Sequence, residues 1–126
     1  MNNQKRGKDF EQRFVKYLQS IGCWVHFIQP SPDGSQPFDI IAGKNNILSA
    51  FDCKTLDGNR FPLSRVEDNQ RMAFQLLNKK GNMLTYFAVE VSENVVKFIP
   101  SIHIEKAIKE GKKSITMNEY ANISIK

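Results

Sequence analysis

Long apolar runs are missing from this chain of 126 residues. No stretch approaches the roughly 20 residues that a bilayer-spanning helix needs. Met1-Asn2-Asn3-Gln4-Lys5-Arg6 leads into no apolar signal core. A cytoplasmic protein with no membrane contact is therefore expected. Cysteine is scarce as well: Cys23 and Cys53 lie in separate apolar runs without the spacing of a metal knuckle. They read as reduced core residues, in keeping with a reducing compartment. His26 falls inside a strand-like run and His103 near a helix start, and each reads as a packing or surface residue rather than a ligand. No internal repeat and no low-complexity tract interrupts the chain.

What is present is an ordinary globular mixture, 40% hydrophobic and 25% charged, with length enough for one core but not two. A single domain over residues 1–126 is expected. Lys and Arg number 18 against 13 Asp and Glu, a net charge of +5 that favours a polyanionic partner.

Apolar periodicity predicts a helix over 7–21 closed by Gly22, with Phe10, Phe14, Leu18 and Ile21 on its inner stripe. Glu11 falls in the middle of that stripe. Cys23 to Gln29 has strand composition, and a loop follows in which Asp33 serves the turn before Gly34. Two further apolar runs flank Lys44-Asn45-Asn46, the signal of an antiparallel hairpin of interior strands. After a polar connection over 55–63, Ser64-Arg65-Val66-Glu67 reads as a capping box opening a second helix that ends at Lys80. Val66, Ala73 and Leu77 form its inward stripe, with Gln70 near the centre. Strands over 83–91 and 95–99 come next, then a helix from Ser101, as its cap, to Glu110, with Ile102, Ala107 and Ile108 inward. The tail reads as loop with at most an edge strand. The order α-β-β-β-α-β-β-α predicts an α/β fold with a mixed central β-sheet flanked by helices.

The hairpin carries acids where apolar residues pack better. Asp39 lies in its first run and Asp52 in its second; strand alternation sets Asp52 and Lys54 on one face, about 7 Å apart, with Cys53 on the other. A carboxylate buried without a partner is costly, so either Lys54 forms a salt bridge or the acids hold a hard divalent cation with Lys54 beside it. Asp-x-Lys alone is uninformative, since Glu110-Gly111-Lys112 has the same spacing. What distinguishes this one is its company. Glu11, Asp39, Asp52 and Gln70, on separate elements, all break the local apolar pattern, as residues of functional sites do.

These residues together resemble the PD-(D/E)XK nuclease superfamily, whose restriction-endonuclease-like core is αβββαβ, and within it the RecU-type Holliday junction resolvases. The likeness runs over about residues 5–100: Gly7-x-x-Phe10-Glu11, Asp39, Asp52-x-Lys54, and Phe61-Pro62-Leu63 ahead of the helix bearing Gln70. The chain departs from the pattern with Asp52 where Glu is usual, Asn69 where His often precedes the glutamine, and a short loop over 30–37 in place of a projecting stalk. The resemblance implies a Mg²⁺-dependent DNA endonuclease, with Mn²⁺ able to substitute, that resolves four-way junctions by paired cuts as a homodimer. It implies that Asp39, Asp52, the Cys53 carbonyl and Glu11 are the metal ligands. Lys54 would orient the attacking water or stabilise the transition state, and Gln70 would position water or phosphate. Lys5, Arg6, Lys8, Lys44, Arg60, Arg65 and Arg71 are candidate phosphate contacts near that site. The alternatives are a nuclease of the same fold acting on other DNA structures, and a non-catalytic DNA-binding module whose acids are only salt-bridged.

Overall fold

A computed structural model describes residues 2–126. Helix α1 (Asn3–Ser20) starts ahead of its apolar stripe because Asn2 caps it, accepting the Lys5 N–H at 2.8 Å. The turn that ends it runs through Gly22, whose φ of +94° suits glycine. Ile21 thereby falls outside the helix and is 40% exposed, in contrast to its expected place on the inner stripe.

Strands β1 (Trp24–Phe27), β2 (Ile40–Lys44) and β3 (Ile47–Thr55) form an antiparallel meander. Asn45 and Asn46, at φ 53° and 66°, supply the two left-handed positions of its second turn. The connection expected to be plain loop contains β4 (Arg60–Pro62), which pairs with β7 (Ser114–Thr116) from the expected loop tail. Periodicity was blind to both, since a three-residue strand has none.

The capping box expected at Ser64 is not there. Leu63–Arg65 is a single 3₁₀ turn, Val66 and Glu67 are extended, and α2 (Asp68–Lys79) begins only after Glu67, whose partner in the actual box is Gln70. Leu63 and Val66 are both buried, and an irregular turn between them delivers both to the core. Strands β5 (Leu84–Ser92) and β6 (Val95–Pro100), helix α3 (Ser101–Lys109) and strand β8 (Ile123–Ser124) complete the chain. Ser101 is the first residue of α3, not its cap. Its hydroxyl is buried against those of Thr85 at 2.5 Å and the Asn78 amide at 3.1 Å, while Pro100 stands at the cap position. Ile102 is 69% exposed, whereas Ile104 and Ala107 are buried and Ile108 packs partly against the same core.

The main sheet has the order β1-β2-β3-β5-β6-β8, antiparallel except for the β3–β5 pair. The parallel pair requires a crossover, and α2 provides it. On one sheet face α1 buries Phe10, Phe14 and Leu18 against Ile40, Phe51, Ala88 and Val96. On the other, Phe74 of α2 and Ile104 of α3 pack with Ala50, Phe87, Val89 and Ile99. Each fully buried side chain of this size contributes about 2 kcal/mol of transfer free energy. Both cysteines are free, and no helix among the described residues is long and apolar enough to cross a membrane.

Candidate active site

The site forms where β2 and β3 part. Asp39 stands one residue ahead of β2, held by its N–H to the Phe51 carbonyl (3.0 Å) and by its carbonyl, which accepts the Ile28 N–H (2.8 Å). Beyond Phe51 no β2 residue pairs with β3, so the Cys53 N–H has no strand carbonyl on that flank. It donates instead to Oδ2 of Asp39 at 2.8 Å. Alternation on β3 turns Asp52 and Lys54 to the α2 face, as expected, and Cys53 to the α1 face.

Asp52 is 3% exposed. Its Oδ1 accepts from Gln70 Nε2 at 2.9 Å, and its Oδ2 lies 3.0 Å from Lys54 Nζ, an ion pair whose geometry leaves that oxygen without a proper hydrogen bond. Gln70 is buried at the first turn of α2 because it closes the helix start. Its Oε1 accepts the Glu67 N–H at 3.2 Å and faces Lys54 Nζ at 3.5 Å. Asn69 donates to the carbonyls of Ser35 (3.1 Å) and Gln36 (3.4 Å), tying the same turn to the loop that leads into Asp39.

Crowding of the acids shows in their proton affinities. Burial, then the Asp39 carboxylate, push Asp52 up to about 8, against a pull from Lys54. Asp39 is raised by burial in spite of the Cys53 N–H. Glu11, on the α1 stripe, is raised to about 7 by burial and then by Asp39, with Lys8 opposing. The Cys53 thiol is pushed up by burial and then by Asp39, Asp52 and Glu11 together, so all three acids lie within electrostatic reach of one side chain. Asp52, Lys54 and Gln70 are thus in direct contact, Asp39 is bonded to the backbone between Asp52 and Lys54, and Glu11 is within electrostatic reach of Asp39. Among the described residues no three Asp, Glu, His or Cys groups form a ready-made metal cage. Mg²⁺ does not ask for one, because it keeps several waters and binds through one or two carboxylates. A crowded carboxylate pair with one oxygen lacking a hydrogen bond fits such an ion.

The expected basic residues divide. Lys8 acts on Glu11, and Lys5 is exposed one turn earlier on α1. Arg6 bridges to Asp57 at 2.8 Å and reaches the Leu56 carbonyl. Arg65 donates to the Thr55 carbonyl at 2.5 Å, and Arg60 to the Ser114 hydroxyl at 3.0 Å. Two are not near the site, contrary to expectation. Lys44 pairs with Ile47 at the far end of β3, about 16 Å from Asp52 at strand rise, and bonds to the Ile21 carbonyl. Arg71 is turned from Gln70 by helical rotation and grips Glu105 of α3 with bonds of 2.6 and 3.0 Å. Sequence reasoning missed the clamp that fixes α1 to the sheet, Arg13 to the buried Glu90. An acid in the apolar run Tyr86 to Val91 was the signal for it.

Compared with known proteins, the sequence matches over residues 2–125 the family model described as archaeal Holliday junction resolvase (Hjc). No curated protein matches it significantly. Among solved structures it is similar to that of Hjc from Archaeoglobus fulgidus, described as a Holliday junction resolvase from an archaeal hyperthermophile. That match covers 93% of each chain with a TM-score of 0.69 at 18% identity, which shows a shared fold.

Proposed function

The chain belongs to the archaeal Holliday junction resolvase family, and we propose that Glu11, Asp39, Asp52, Lys54 and Gln70 carry its chemistry around a Mg²⁺ ion. The family lies within the PD-(D/E)XK nuclease superfamily, and the chain is a Holliday junction resolving endonuclease, a hydrolase of branched DNA. A closer kinship with the RecU-type resolvases is a narrower proposal, supported by the Gly7-x-x-Phe10-Glu11 and Asp52-x-Lys54 motifs alone.

The observation that carries the assignment of residues is the buried pair Asp39 and Asp52, pressed together beside Lys54 with one Asp52 oxygen lacking a hydrogen bond. Asp39, Asp52 and the Cys53 carbonyl would hold Mg²⁺, or Mn²⁺ in its place, and Glu11 would bind a second ion or one of the attached waters. When bound, the ion supplies Lewis-acid charge neutralisation and lowers the pKa of attached water. Lys54 is a compact point charge that orients the attacking water or offsets charge growing on the phosphate oxygens. Gln70 holds Asp52 through its amide nitrogen and offers its oxygen towards the lysine. It thereby fixes which way both groups point. Lys5, Arg6 and Lys8 on the first turns of α1 attract the phosphates that flank the cut, a contribution that positions DNA without reading it. One chain has one such cluster, and two symmetric cuts need two, so a twofold homodimer is the working unit.

Digestion of a synthetic four-way junction with and without Mg²⁺ tests this. Paired, symmetric nicks that need Mg²⁺, with linear duplex spared, are expected. Lys54→Ala cutting at the wild-type rate would remove the lysine from the mechanism, and a monomer by gel filtration with junction present would remove the paired-site account.

A further inference from the structure

A cleft of about 600 Å³ runs between α1 and β1, lined by Lys8, Lys16, Gln19 and Gln29 with Phe27 in its wall. Glu11 also lines it and links the cleft to the carboxylate cluster. From Lys8 to Gln19 the cleft follows the helix for about 16 Å. That admits a single nucleic-acid strand.

The lining has the chemistry of a sequence-tolerant strand site. The lysines are exposed and set two helical turns apart, where each can meet a phosphate. The glutamine amides both donate and accept, so they bond sugars or base edges without rejecting any base. Phe27 is half-buried against the α1 core and leaves part of its ring for stacking. Apart from Glu11 no acid lines the cleft.

We propose that this cleft takes a short unpaired stretch of the DNA strand being cut, next to the scissile phosphate. That the phosphate is scissile rests on the assignment of the carboxylate cluster as the active site; the binding of unpaired strand does not. At a four-way junction the exchanging strands leave their duplexes at the branch point, and there a strand is free to lay its phosphates on Lys8 and Lys16 and a base on Phe27. It gives the protein a structural reason to engage junctions.

The test compares wild-type protein with a Lys16→Ala, Gln19→Ala double variant, both changes on the exposed helix surface, by fluorescence anisotropy on labelled oligo-dT, a four-way junction and a linear duplex. Affinity for oligo-dT and junction is expected to fall about tenfold, and the slope of log affinity on log salt to become shallower by about 0.7–1. Duplex affinity is expected to change by less than about twofold. A 2-aminopurine beside the cut should be quenched in the wild-type complex and brighten with Phe27→Leu. Equal losses on duplex and junction, no loss on any DNA, or an unquenched probe would each overturn the proposal. Lys54→Ala, assayed in parallel, separates the two ideas. Cutting that survives it overturns the active-site assignment, while the affinities, read without cleavage, still decide the cleft.

Discussion

Arg13→Ala probes how α1, and with it Glu11, is held to the sheet. Arg13 grips both oxygens of Glu90 at 2.5 and 3.0 Å, adds Asp9 at 2.7 Å, and reaches the Asn94 amide oxygen at 3.1 Å. These bonds hold its guanidinium proton more tightly than usual. The Glu90 side chain is 4% exposed against 29% for Arg13, so truncation leaves a buried carboxylate with only the Asn94 N–H at 3.0 Å. Removing one partner of a buried pair costs about 3–5 kcal/mol; water reaching in from the Arg13 side trims this to about 2–3 kcal/mol. A domain of this length loses about 3–4 °C of melting temperature per kcal/mol, so a drop of about 6–12 °C is expected. Replacing both partners by methionine removes the stranded charge and brings stability back to within about 1 kcal/mol of wild type. Urea unfolding followed by circular dichroism measures all the variants on one scale. A cost below about 0.5 kcal/mol for Arg13→Ala, or a double variant as destabilised as the two single changes added together, would show that Arg13 and Glu90 do not clamp α1.

The remaining predictions concern the site. Raised carboxyl values mean that the folded chain binds more protons than the unfolded one. Stability without a divalent ion is therefore fully present below the unfolded values near 4 and is lost as pH rises through about 7 to 8. Protein treated with chelator should accordingly melt higher at about pH 5.5 than at about pH 8.5, with Mg²⁺ adding more at the alkaline end; a flat profile by calorimetry would contradict it. Lys54→Ala and Lys54→Arg should each slow junction cleavage by about 10²–10³ with binding largely retained, measured by single-turnover digestion beside gel shift. Gln70→Ala strands the Glu67 N–H and one oxygen of Asp52, so it should cost about 1–3 kcal/mol in urea unfolding and slow cleavage by about tenfold.

The candidate site residues stood out because each violates a pattern strong enough to be violated. Glu11 interrupts a helical stripe and Asp52 an interior strand, and both positions follow from periods of 3.6 and 2 that the fold keeps. Gln70 was legible for the same reason, although its helix starts later than Ser64 proposed; the capping role of Glu67 was hidden because glutamate is not among the residues that usually cap a helix. The short pair β4 and β7 was not legible, since three residues carry no period and their partner lies far along the chain. Distances between elements were equally out of reach. Nothing local tells that Arg13 meets Glu90, or that Lys44 and Arg71 turn to Ile21 and Glu105.

The carboxylate of Asp39 stands in for a missing rung of the ladder, taking the Cys53 N–H where β2 has already turned away. One side chain therefore holds the architecture of the fork, and on the proposed assignment it also faces the ion inside it. If Asp39 holds the ion as proposed, alanine at this position would unzip the fork and remove a ligand together, and the two losses could not be told apart. An asparagine keeps an oxygen for the amide while giving up the charge, so it alone can ask what the acid does once the backbone is content.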